Sequence, residues 1–103
     1  PDLDLLLEKY ELWQWAFITA WNPYSVQLSE VDNALRHQSL VRLTESYLVY
    51  EGLGMGVDSE WQPEQSLLIL GIEKGEAIKL GKLFHQYAIV TAVKGEKAEL
   101  VTC

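Results

Sequence analysis

The chain has 103 residues, 49% of them hydrophobic and 22% charged, and a formal net charge of -7. That length suits one domain over residues 1–103 with one core, and the balance excludes disordered and collagen-like chains. An acidic surface repels phosphate backbones, and no apolar run approaches the ~20 residues of a membrane helix, so neither nucleic acid nor membrane is an expected partner.

The opening PDLDLLLEKY carries Asp2, Asp4 and Glu8 where a secretory signal would carry basic residues. The sole cysteine, Cys103, forms no internal disulfide and suits a reducing compartment, so the expected location is cytoplasmic. Leu3, Leu6, Leu7 and Tyr10 recur at helical spacing and predict a short amphipathic helix over 2–12. WAFITAW, 15–21, is rich in aromatic and β-branched residues and predicts strand one. Trp21-Asn22-Pro23 then ends it with two turn-forming residues.

Ser29 followed by Asp32 marks a helix start, with the hydroxyl able to accept from an orphan amide. The helix is expected to run to about Glu45 with Asn33, Arg36, His37, Leu40, Leu43 and Thr44 on its inner side. YLVYEG, 47–52, predicts strand two and SLLILGI, 66–72, strand three; the latter is apolar on both alternations, as a strand buried on both faces would be. The long connection 53–65 between them is the candidate binding loop. Residues 74–86 predict a helix with Ala77, Leu80, Gly81 and Phe84 inward, Gly81 permitting close packing. YAIVTAV and KAELVTC flank Lys94-Gly95-Glu96 as a terminal hairpin.

From strand one the order is β-α-β-β-α-β, preceded by a helix and followed by an extra strand. This is the ferredoxin-like, split βαβ order of an α+β fold, with a mostly antiparallel sheet and helices chiefly on one face.

Few motifs carry chemistry. Gly52-x-Gly54-x-Gly56 lacks the Lys-Ser/Thr of a phosphate loop and the helix start of a dinucleotide fingerprint. His37 and His85 are the only imidazoles; a metal site with Asp58, Glu60 or Glu64 would need ligands from separate segments, and no ligand spacing supports one. No metal and no cofactor is expected. Cys103 sits at the last position, and Ser66 and Thr19 lack an elbow or a base. Glu64, at a strand entrance beside Trp61 and Pro63, is the one acid placed for partial burial; Arg36 is its candidate ion-pair partner.

Thr19-Ala20-Trp21-Asn22-Pro23, Asn33 in the next helix, Trp61-x-x-Glu64-x-Ser66 and Phe84-x-Gln86-x-Ala88 together resemble a bacterial family catalogued only as a domain of unknown function. The resemblance covers about residues 16–92 and implies no activity. It singles out residues that the pattern also places at element ends. With strand one antiparallel to strands three and four, its C-terminal end lies beside their N-terminal ends, so Asn22, Asn33, Arg36, Glu64 and Gln86 are expected to meet, lined by Trp21 and Trp61.

Two functions fit such a cluster. The first is a non-catalytic module binding a small molecule, peptide or protein partner; the alternative is a small enzyme acting on a polar metabolite with Glu64 as general acid or base. Four Trp and five Tyr predict some exposed aromatic surface at Trp13, Trp15 or Tyr24, hence a monomer or weak dimer.

Overall fold

The computed structural model describes residues 2–54 and 64–103. Their order is α1 (Asp2–Lys9), β1 (Gln14–Thr19), a 3-10 turn (Pro23–Ser25), α2 (Glu30–Leu43), β2 (Leu48–Gly54), β3 (Glu64–Leu70), α3 (Lys74–Leu83), β4 (Ala88–Val93) and β5 (Glu99–Thr102). The five strands form one antiparallel sheet in the order β2-β3-β1-β4-β5, an α+β architecture with three α-helices among the described residues.

Register decides which side chains meet. Ala16 pairs with Ile69 and Thr91, and Ile18 with Leu67, so these side chains share the face that α2 and α3 cover. Leu40 of α2 and Ala77 of α3 are buried against them, together with Ala20, Ile72, Phe84 and Ile89. Trp15, Phe17, Leu68 and Leu70 point to the other face. There Tyr10, just beyond α1, hydrogen-bonds Tyr50 of β2, and this bond raises the pKa of the Tyr50 phenol. A further tie joins α1 to the β4–β5 turn through Lys94 and Glu8, 3.0 Å apart.

β3 lies inside the sheet with Leu67, Ile69 and Leu70 buried, as its uninterrupted apolar pattern predicts. Ser29 caps α2 by accepting from the Asp32 amide at 3.1 Å. The inner face of α2 holds Asn33, His37, Leu40 and Thr44, but Leu43 is exposed. Leu43 falls at the last helical residue, where Thr44 turns its hydroxyl back to the Leu40 carbonyl at 2.9 Å and takes the inward place. Strand one also stops sooner than its aromatic run suggests: Trp21 lies beyond β1, because the chain leaves the sheet after Thr19. Likewise α3 ends at Leu83, leaving His85 and Gln86 in the turn before β4.

Candidate functional site

The C-terminal end of β1 lies beside the N-terminal ends of β3 and β4, where Thr19 pairs with Ser66. Thr19 is the first fastener: its Oγ1 donates to the Gln65 carbonyl at 2.7 Å and accepts from the Trp21 amide at 3.1 Å. Beyond the end of β1, Asn22 adopts the left-handed conformation, φ 44°, and turns the backbone into the 3-10 turn. Asn tolerates this region better than most residues, and Pro23 fixes the next φ.

The side chains lock this turn. Asn33, 1% exposed, accepts from the Asn22 amide through Oδ1 at 2.8 Å and donates through Nδ2 to Asn22 Oδ1 at 2.7 Å. Asn22 Oδ1 accepts a second bond from the Leu28 amide at 3.0 Å. One helical turn along α2, Arg36 donates from Nε to the Ala20 carbonyl at 2.8 Å and from Nη2 to the Phe84 carbonyl. Its guanidinium carbon stands 5.8 Å from the Phe84 ring centroid, and burial lowers its pKa. Gln86 donates from Nε2 to the Trp21 carbonyl at 3.0 Å and to the Phe84 carbonyl at 3.3 Å.

Asn22, Asn33, Arg36 and Gln86 therefore come together, joined largely through the backbone of 20–22 and of Phe84. Trp21 enters by its amide and carbonyl. Glu64 begins β3, half-buried, and burial raises its carboxyl above the usual range. The expected Glu64–Arg36 ion pair is not formed among the described residues, since Arg36 directs its donors to two backbone carbonyls instead. Trp61, and most of the predicted binding loop with it, lies outside the described residues.

This turn displays an aromatic group that the sequence pattern does not reveal. Tyr24 and His85 both have positive φ, 49° and 57°, and the Tyr24 amide donates to the His85 carbonyl at 2.6 Å. The Tyr24 ring lies 5.3 Å from that of His85 and 5.1 Å from that of Tyr87, and Tyr24 and Tyr87 are both exposed. With Asn22, three of the four described non-glycine residues at positive φ converge here.

On the other flank of α2, His37 Nε2 and Glu51 Oε1 of β2 are 2.6 Å apart. Alternation along β2 puts Glu51 on the same face as Val49, toward the helices, and this was the available signal for the pair. Among the described residues no three His, Cys, Asp or Glu side chains converge as metal ligands would. No described helix is long and apolar enough to cross a membrane.

No curated protein and no solved structure matches this chain. A family described as "Protein of unknown function (DUF3293)" matches over residues 18–89, from the end of β1 to the start of β4. That span takes in Asn22, Asn33, Arg36, Glu64 and Gln86, and it is most of the chain, which belongs to the DUF3293 family of proteins of unknown function.

Proposed function

We propose that the chain is a single non-catalytic binding domain whose partner, a small molecule, peptide or protein, meets the end of the sheet built around Asn22, Asn33, Arg36 and Gln86. The observation carrying this reading is the convergence there of three left-handed non-glycine residues, Asn22, Tyr24 and His85. Each costs on the order of 1–2 kcal/mol, and such strain clusters at binding sites. Here buried Asn33, half-buried Asn22 and Gln86, and Arg36 hold it in place, and what faces solvent is Tyr24, His85 and Tyr87. Rings held rigidly lose little entropy on contact.

A second reading makes Glu64 the general acid or base of a small enzyme. Its support is the raised carboxyl pKa of a half-buried acid with no ion pair to Arg36 among the described residues.

The reading extends to classification and setting. The sheet order β2-β3-β1-β4 supports a ferredoxin-like split βαβ assignment, with β5 added at the edge. One cysteine supports a cytoplasmic protein, the family resemblance supports a bacterial one, and the charge of -7 supports one that leaves nucleic acid and membrane alone. Exposed Trp13 and Tyr24 support a monomer or weak dimer.

The test is amide-resolved NMR against a metabolite and peptide panel. A binder that shifts residues 20–24 and 84–87, and is lost in a folded Tyr24→Ala variant, supports the module. A panel in which no binder shifts residues 20–24 and 84–87 overturns it, whatever binds elsewhere on the chain. Turnover of a binder, abolished in Glu64→Gln, would favour the enzyme.

A further inference from the structure

A groove of about 680 Å³ lies between α2 and the β2–β3 side of the sheet, lined by His37, Gln38, Arg42, Glu45, Glu51 and Gln65 over an apolar floor of Ala34 and Val41. That volume falls within the ~300–1,000 Å³ of small-molecule sites. We propose that it binds a small zwitterion of the α-amino acid or short-peptide class, its ammonium on Glu51 and Glu45 and its carboxylate on Arg42.

The argument starts from His37. Its side chain is 6% exposed, its Nε2 meets Glu51 Oε1 at 2.6 Å, and its buried Nδ1 has no hydrogen-bond partner among the described residues. A carboxylate accepts only, so Nε2 carries the proton and Nδ1 is left with an unanswered lone pair or, in the charged imidazole, an unanswered proton. An unsatisfied buried polar group costs about 1–3 kcal/mol and asks for a reason. The reason lies on the Nε2 side. The Glu51 side chain is 68% exposed, and a glutamate that free normally samples many rotamers. His37 grips one oxygen from below and leaves Oε2 without that tether, so a cation meets a carboxylate already fixed in position.

The rest of the rim decides the ligand. His37, Gln38, Val41 and Arg42 follow one another along one side of α2, Glu45 lies in the turn just past its end, and Glu51 and Gln65 face them from the sheet. Among the described residues neither Arg42 nor Glu45 forms an ion pair, so a guanidinium and two carboxylates remain available across one groove. Arg matches a carboxylate through paired N–H donors, and the acids match an ammonium. Gln38 and Gln65 each add a donor and an acceptor, suited to a peptide bond or a polar side chain. A simple anion would meet two carboxylates here and a simple cation would meet Arg42; a molecule carrying both charges answers all three.

The test is titration of the whole chain with the free L-amino acids and with dipeptides, read by calorimetry and by amide NMR. At least one probe should bind with shifts confined to residues 34–45, 51 and 65, and the stronger arm tells free amino acid from peptide. Its N-acetylated form and its amide should each bind about tenfold more weakly or worse, as should the original probe to Glu51→Gln and to the exposed-site variant Arg42→Gln. If no amino acid or dipeptide perturbs the groove, or if affinity survives in both folded variants, the proposal is overturned.

Discussion

Asn22 and Asn33 bond to each other twice: the Asn22 amide donates to Asn33 Oδ1 at 2.8 Å, and Asn33 Nδ2 donates to Asn22 Oδ1 at 2.7 Å. Donor and acceptor ends of one buried side chain are both used, so the first helical turns of α2 cannot move independently of the end of β1. Asn33→Ala is expected to lose about 1–3 kcal/mol in urea unfolding, because the Asn22 amide loses its acceptor and Asn22 Oδ1 loses one of its two donors. Asn33→Asp keeps the shape but turns a donor into an acceptor facing Asn22 Oδ1, and should cost at least as much. A loss below ~0.5 kcal/mol in both would show that water replaces Asn33 freely.

His85 sits at φ 57°, where an L side chain crowds its own backbone. The imidazole is exposed and its neighbour Tyr24 is held by the His85 carbonyl, which any residue supplies. His85→Gly should therefore remove strain of about 1 kcal/mol, partly offset by the greater freedom of glycine in the unfolded chain. The expected outcome is an unchanged or slightly raised Tm, with partner binding at the rim weakened through loss of one ring. A clear drop in Tm would mean that stacking on Tyr24 outweighs the backbone cost.

Gly81, buried on the inner side of α3, admits no side chain. A methyl group there would overlap Cys103 Sγ and stand 3.0 Å from Ile89 Cγ2. Gly81→Ala is expected to destabilise by about 1–3 kcal/mol even though alanine is the better helix former. Adding Cys103→Ala removes the sulfur and should recover part of the loss; a purely additive double variant would rule out this contact as the cause.

Much of the fold was legible because burial imposes period. Ala16, Ile18, Leu67 and Ile69 alternate as a sheet demands, and the strand order follows from their register. Element ends were less legible, since they depend on a few bonds: Thr44 takes the inward place past Leu43 with its hydroxyl on the Leu40 and Val41 carbonyls, and β1 stops at Thr19, whose hydroxyl ties the Gln65 carbonyl and the Trp21 amide. At the site, residue type showed which side chains would seek partners but not which partners. Arg36 answers two backbone carbonyls where the pattern suggested Glu64, because a main-chain acceptor leaves no mark in the sequence. Tyr24 and His85 were hidden for a similar reason: neither is a residue type that announces a left-handed turn as glycine does.

Glu64 gives the reading its pH dependence. Burial raises its carboxyl pKa in the folded chain above the unfolded value. Below the usual carboxylate range both states are protonated and the group has no effect. Between the unfolded value and the raised folded value the folded state binds the proton more tightly, so stability falls as pH rises through that window. Above it the loss is complete and constant. Glu64→Gln cannot ionise, so its Tm should match that of the parent chain at low pH and exceed it increasingly as pH climbs through the window, reaching a plateau above it. Thermal melts of both chains from pH 3 to 8 measure this difference directly. A difference independent of pH would mean that solvent reaches the carboxylate, and a variant less stable at pH 8 than the parent would mean that the ionised acid has a favourable partner. Only the expected sign leaves Glu64 as an acid whose charge the fold itself does not compensate, available to a ligand that brings a donor or a cation to that end of the sheet.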